Sequence, residues 1–186
     1  VLARVSFSGE LGYEFHCAPQ FQMKLFERIE EAGADLGLEL YGARALMSLR
    51  LEKNWGAWTL DFRPDFTAAQ SGLDAFIHWD KDFIGKAAAV AEREAGPDKK
   101  LVAMVVDSDH IDVTNDEAIM QNGACVGYVS SGGYAHWVGR SVALGYVPPA
   151  LAAHGTALEV EINGAFYPAA VTAHPLHDAN GSRMRS

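Results

Sequence analysis

Apolar and polar residues alternate over Ala3 to Phe7 and again over Tyr13 to Cys17, with Ser8-Gly9-Glu10-Leu11-Gly12 between the two runs. A period of two puts successive side chains on opposite faces of a strand, so the pair predicts a β-hairpin. The period then lengthens. After Pro19, the residues Phe21, Leu25, Phe26, Ile29 and Ala32 recur at helical spacing, with Lys24, Glu27, Arg28, Glu30 and Glu31 mostly on the other side, until Gly33 and Gly37 weaken the pattern. A second helix is predicted from Gly42 to Lys53, with Ala43, Leu46, Met47 and Arg50 on one face and Arg44 and Ser48 on the next. Residues 54–66, rich in Trp, Asp and Pro, read as an ordered loop, Leu73 to Trp79 as a strand, and Asp82 to Glu94 as a short helix. Ala95-Gly96-Pro97-Asp98 interrupts all of this and marks a domain boundary, giving units 1–96 and 97–186.

Beyond the boundary the pattern becomes one of short β-type runs: Leu101 to Asp107, Ala118 to Gln121, Ala124 to Ser130, Ser141 to Val147, Leu158 to Ile162 and Ala165 to Thr172. Asn122-Gly123 and Asn163-Gly164 supply the turn chemistry that two-residue hairpins favour. Strands at this spacing predict a small β-barrel or sandwich, so the chain is of the α+β class. Ser130-Ser131-Gly132-Gly133-Tyr134 reads first as a turn between strands, and alternatively as a set of backbone N–H groups for a small anion.

Composition narrows the functions open to such a chain. It has 186 residues, 49% hydrophobic and 21% charged, which fits a folded globular protein rather than a disordered one. The formal net charge of -9 repels phosphate backbones, so nucleic acid is not an expected partner. No apolar run approaches the ~20 residues needed to span a bilayer, so no membrane role is expected. Cys17 and Cys125 are far apart and have no metal-type spacing. They fit a reduced compartment, the cytoplasm of a bacterium or the mitochondrial matrix, and Cys17, beside Phe15, reads as a core filler. The chain opens on Val1 rather than Met, which points to a piece of something longer.

Generic catalytic templates are absent: there is no dinucleotide fingerprint, Walker loop, metalloprotease helix or nucleophile elbow. The seven histidines are scattered, and His136, His174 and His177 read as hydrogen-bonded loop residues rather than metal ligands. Two residues stand out. Glu10, in a glycine-flanked turn, is either a solvated glutamate or a carboxylate that accepts two parallel N–H bonds from an amidine-like ring, such as a pterin or a guanidine. Arg44 lies in the first turn of its helix, where a cation opposes the macrodipole by a few tenths of a kcal/mol, roughly. A ligand or a surface ion pair would compensate.

Taken together, Ser8-Gly9-Glu10-Leu11-Gly12-Tyr13-Glu14, Gly42-Ala43-Arg44-Ala45-Leu46, Ser48-Leu49-Arg50-Leu51-Glu52-Lys53, Asp80-Lys81-Asp82-Phe83-Ile84-Gly85-Lys86, and Gly127-Tyr128-Val129-Ser130-Ser131-Gly132-Gly133-Tyr134 with Gly139 to Val147 resemble, in order, the motifs of the glycine-cleavage T-protein (aminomethyltransferase) family. Leu51-Glu52-Lys53, the Gly-Tyr-Ala-His stretch and the ending Gly181-Ser182-Arg183-Met184-Arg185 are more similar to its dimethylglycine and sarcosine dehydrogenase branch, in which a flavin domain precedes a folate-binding domain. The Lys-Gly-Cys motif of the iron–sulfur biogenesis relatives is not seen.

The resemblance implies a partial ferredoxin-like folate-binding lobe followed by a C-terminal β-barrel, and transfer of a one-carbon unit from an amine donor to tetrahydrofolate. On that reading Glu10 holds the pterin edge and Arg44 binds near the folate or donor side. His177, in Pro175-Leu176-His177-Asp178, stands where relatives commonly have Tyr, keeping a planar ring and a donor. The family's catalytic aspartate lies upstream of the Gly-Glu motif, in a segment this chain does not carry, so no catalytic residue is expected here. FAD is expected in an upstream domain, and the missing half, or a flavin dehydrogenase, is the expected partner. The competing expectation is a non-catalytic folate-binding or interaction module.

Overall fold

The computed structural model describes residues 1–108 and 111–185. Strands β1 (Leu2–Ala3) and β2 (Glu14–Phe15) pair antiparallel, Leu2 opposite Phe15. The predicted hairpin therefore exists, but its ladder is two residues deep. Cys17 lies beyond β2 and is exposed, so it fills no core. Helix α1 (Gln22–Gly33) follows a 3₁₀ turn started by Pro19 and passes into a second one (Ala34–Leu36), which ends where Gly37 takes the left-handed conformation, φ +73°. The amphipathic pattern is present, yet α1 buries no residue. Phe21, Met23 and Phe26 are exposed, as are Leu2, Tyr13 and Phe15 on the hairpin.

Helix α2 (Ala43–Glu52) behaves differently: its last turn, Arg50, Leu51 and Glu52, is fully buried. The segment 73–79 is not a strand. Successive turn hydrogen bonds, Leu73 N to Ala68 O at 2.8 Å and Phe76 N to Leu73 O at 3.0 Å, coil it into a 3₁₀ turn over Asp74–Phe76. The closed barrel that follows offers it no edge, and the two-residue hairpin takes no third strand. Helix α3 (Lys86–Ala95) completes the first part, capped by Gly96 at φ +80°.

The second part is a closed six-stranded antiparallel barrel. Its strands are β3 (Lys100–Val106), β4 (Ala118–Gln121), β5 (Ala124–Ala135), β6 (Arg140–Val147), β7 (Ala157–Ile162) and β8 (Ala165–Thr172), in the order β3-β6-β5-β4-β7-β8. Asn122-Gly123 and Asn163-Gly164 both take positive φ, as a type I′ hairpin turn requires. Met104, Ile119, Val129, Val160 and Val171 lie in the core. Gly127 has a steric role: a Cβ there would stand 2.0 Å from the Tyr146 carbonyl oxygen, so only glycine lets β5 approach β6.

Ser130 to Tyr134 belong to β5 and are not a turn. The register of β5 against β6 shifts between Val129 and Ser131, which makes Ser130 a bulge residue. Neighbouring side chains of a regular strand face opposite ways; the bulge instead aims both serine hydroxyls at one carboxylate, Asp61.

Asp61 sits in the loop 54–66 and is fully buried. Oδ1 accepts from Ser130 and from Ser131 at 2.7 Å, while Oδ2 accepts from Arg50 Nη1 and from the Ala57 N–H, each at 2.8 Å. Its carbonyl accepts from the Tyr146 hydroxyl at 2.8 Å, and Ser71 lies 2.9 Å from that hydroxyl. Burial pulls the Arg50 guanidinium below its ordinary pKa, and the Asp61 charge and hydrogen bond oppose that. Beside this pair, Leu51 packs on Ala103, Ala135, Val142 and Leu144 from the barrel.

Removing one member of a buried ion pair leaves the other charge uncompensated. Asp61→Ala is therefore expected to lower the unfolding free energy by about 3–5 kcal/mol, and Ser131→Ala by about 1 kcal/mol, in urea denaturation. A loss for Asp61→Ala no larger than that for Ser131→Ala would show that the carboxylate does not hold the two parts together.

Candidate functional site

The last turn of α2 also organises the surroundings of Glu10. The Glu52 carbonyl accepts the His177 N–H at 3.2 Å, and Glu52 Oε1 accepts the Trp137 N–H at 2.7 Å. Lys53 Nζ donates to the carbonyls of Asp178 at 2.6 Å and His177 at 3.2 Å, fixing the segment after β8. Gly9, at φ +85°, packs on the stem of Lys53 so closely that a Cβ would stand 2.2 Å from its Cγ. One lysine thus brings the Gly9-Glu10 turn and the His177-Asp178 segment together.

Glu10 uses both carboxylate oxygens there. Oε1 lies 3.2 Å from His177 Nε2, and Oε2 accepts from Arg183 Nε at 2.7 Å. The Arg183 hydrogen bond, helped by His177, holds the Glu10 carboxyl below its ordinary value, and partial burial opposes this. The His177 ring lies 5.1 Å from Trp137, and the Arg183 guanidinium lies 5.8 Å from the Trp137 ring centroid. Asp178 closes the following turn: Oδ1 accepts from the Ser182 hydroxyl at 2.6 Å and its N–H at 3.0 Å, and Oδ2 from the Arg183 N–H at 3.1 Å. Those donors, with Lys53, hold its carboxyl far below the usual carboxylate range.

Arg44 is elsewhere. It occupies the first turn of α2 and lines a cavity of about 570 Å³ between that helix and the barrel, with Met47, Ser48, Gly133, Tyr134 and His136. The Ser48 hydroxyl donates to the Tyr134 carbonyl at 2.6 Å, and Tyr134 meets His136 edge to face at 5.0 Å. No hydrogen bond or ion pair to Arg44 occurs among the described residues. The structure thus joins Glu10 to His177, and leaves Arg44 at the other end of α2, eight residues and about 12 Å of helix rise from Glu52. Trp137, which touches His177, follows directly on His136 of the cavity wall.

Two family models match: the GCVT N-terminal domain over residues 1–81, and the glycine cleavage T-protein C-terminal barrel domain over residues 99–178. The chain belongs to the glycine-cleavage T-protein family. Among its relatives, the mitochondrial dimethylglycine dehydrogenase of Homo sapiens is 36% identical over 98% of this chain and 21% of its own length. An aminomethyltransferase of Picosynechococcus is 35% identical over 96% of this chain and 48% of its own. The crystal structure of the glycine cleavage system aminomethyltransferase T from Bartonella henselae superposes with a TM-score of 0.88 at 26% identity, over 96% of this chain and 50% of that one. The chain therefore spans about half the length of these aminomethyltransferases and about a fifth of the dehydrogenase.

Among the described residues no group of three or more His, Cys, Asp or Glu side chains could hold a metal ion, and no helix is long and apolar enough to cross a membrane. Sequence reasoning missed Lys53, Trp137, Asp178 and Arg183 as neighbours of Glu10. A local signal existed only for Asp178, whose spacing to Ser182 and Arg183 in Asp-Ala-Asn-Gly-Ser-Arg is that of a side-chain-capped turn.

The depressed Glu10 value has a definite pH sign. Its stabilising contribution is fully present above the ordinary carboxylate pKa of 4.5 and is lost as pH falls through the lower folded value. NMR titration of the Glu10 side-chain carboxyl is expected to give a midpoint below 4.5, and Arg183→Gln to move it upward. A midpoint that does not respond to Arg183→Gln would show that the guanidinium is not what holds the proton off.

Proposed function

We propose that this chain is the folate-binding portion of an enzyme that moves a one-carbon unit from an amine of the glycine, sarcosine or dimethylglycine type onto tetrahydrofolate. The observation that carries this reading is the carboxylate of Glu10, which grips a planar N–C–N group, the Arg183 guanidinium, through a charge-assisted bond at 2.7 Å. The amino-pyrimidinone edge of a pterin offers the same kind of parallel N–H donors, so the residues present fit the group. His177 adds a ring at the other oxygen, and Trp137 an aromatic face beside it.

Arg44 supplies the complementary end. A protein of net charge -9 has little general attraction for an acidic ligand, so an arginine without a partner among the described residues, at the rim of a cavity, is the local exception such a ligand needs. The ~12 Å between the ends of α2 is compatible with a folate, whose pterin, benzoyl and glutamate parts are strung in line. When bound, tetrahydrofolate supplies the nitrogen acceptors for the one-carbon unit; residues 1–186 would bind and orient it.

Proton management during transfer would come from residues outside this chain, and so would any flavin. The exposed apolar side chains of the hairpin and α1 support that division, since no described residue buries them. A supporting polypeptide segment, or a flavin dehydrogenase portion as in the mitochondrial relative, would cover it. On this reading the domain division follows the earlier expectation, a folate lobe to residue 96 and a barrel from 97.

Two measurements test the reading. Glu10→Ala in the full-length protein is expected to weaken tetrahydrofolate binding at least tenfold, about 1.4 kcal/mol, by calorimetry; unchanged affinity removes Glu10 from the site. The 186-residue chain alone is expected to show no methylene transfer, and turnover by it would refute the assignment of proton chemistry to residues elsewhere.

A further inference from the structure

We propose that Arg183 is an internal surrogate for the pterin: a strap over residues 178–185 delivers its guanidinium to Glu10, where it competes with the ligand for the same carboxylate. This rests on the reading of Glu10 as the pterin-binding residue and adds a built-in competitor to that site.

The strap is fastened on several sides. Lys53 holds the carbonyls at its start, at 2.6 and 3.2 Å, and Arg4 Nη2 holds the Met184 carbonyl near its end at 3.2 Å. Between them Asp178 accepts from Ser182 and from the Arg183 N–H, and Gly181, at φ +63°, lets the chain double back with its N–H on the Asp178 carbonyl at 2.9 Å. Arg183 thus stands on a closed turn rather than on a loose tail.

The guanidinium meets the two features that a pterin would use. Its Nε lies 2.7 Å from Glu10 Oε2, and its plane-bearing carbon lies 5.8 Å from the Trp137 ring centroid. A delocalised planar group held at its edge by a carboxylate, with an indole face nearby, is matched in charge and shape to an amidine ring. A bidentate ligand needs both Glu10 oxygens, and Arg183 holds one of them while His177 lies against the other. The Arg183–Glu10 bond is solvent-exposed, with side chains 51% and 38% accessible, so the guanidinium can give way to a ligand while the turn stays fastened.

The test is calorimetric titration of tetrahydrofolate into the full-length protein and its variants. Arg183→Ala is expected to tighten binding about three- to fivefold, the scale of an exposed ion pair. Asp178→Ala, which unfastens the turn while leaving Arg183 in the chain, is expected to give a gain of the same size, and the double variant no more than either. In a Glu10→Gln background the gain should vanish. Weaker or unchanged binding in Arg183→Ala, with the wild type still binding, overturns the surrogate and leaves the folate reading intact. Failure of wild type and Arg183→Ala alike to bind overturns the folate reading, and the surrogate with it.

Discussion

The buried pair of Asp61 and Arg50 joins the helical part of the chain to the barrel, and the positions of the candidate site residues depend on it. Consecutive residues of a helix project about 100° apart, so fixing one fixes the directions of the next. Arg50 is held by the Asp61 loop, Leu51 is pressed onto the barrel wall, Glu52 receives the N–H groups of Trp137 and His177, and Lys53 fastens the strap. Four neighbouring residues thus face four different structures. Rotating α2 by a fraction of a turn would disconnect Glu10 from its partners as surely as it would break the pair. The barrel's contribution is equally specific, because only a bulge at Ser130 lets two successive hydroxyls reach one carboxylate oxygen.

The barrel was legible in the sequence because its rules are local. Alternation marked every strand, all but the end of β5 to within a residue, and the two Asn-Gly pairs marked their turns. The misread stretches are those where distant partners decide. Ser130 to Tyr134 carries turn-like composition, yet it completes a strand because β6 lies beside it and Asp61 claims the hydroxyls. Leu73 to Trp79 carries strand-like composition, and coils where the barrel is closed to it and the short hairpin takes no third strand.

The site was legible in its ends and hidden in its middle. Glu10 and Arg44 were conspicuous through local context, a glycine-flanked turn and an unfavourable helix position. His177 rested on the family resemblance, and its contact with Glu10 spans 167 residues of sequence. Lys53 entered as the end of the predicted helix and part of a family motif, and nothing in its neighbourhood shows that it reaches across 125 residues to Asp178. Arg183 entered only as part of the ending that resembles the dehydrogenase branch. These residues act through contacts at long sequence separation, and single-chain periodicity carries no information about those.

A carboxylate that is to hold a ligand, the role proposed for Glu10, faces a constraint that its cluster resolves visibly. Half-buried and unpaired, it would lose part of its hydration without compensation, and its pKa would rise, weakening the charge it needs. Fully buried and tightly paired, it would be unavailable. Glu10 is neither: its partners are an exposed guanidinium and a histidine ring, strong enough to keep it ionised and exposed enough to be exchanged. The Asp61 carboxylate shows the opposite solution in the same chain. It is fully buried, with donors on both oxygens, and ties the Arg50 helix end to the barrel. The difference between the two acids lies less in their partners, each having an arginine, than in water access. That access separates an ion pair that fixes a fold from one that, on the proposed reading, a ligand replaces.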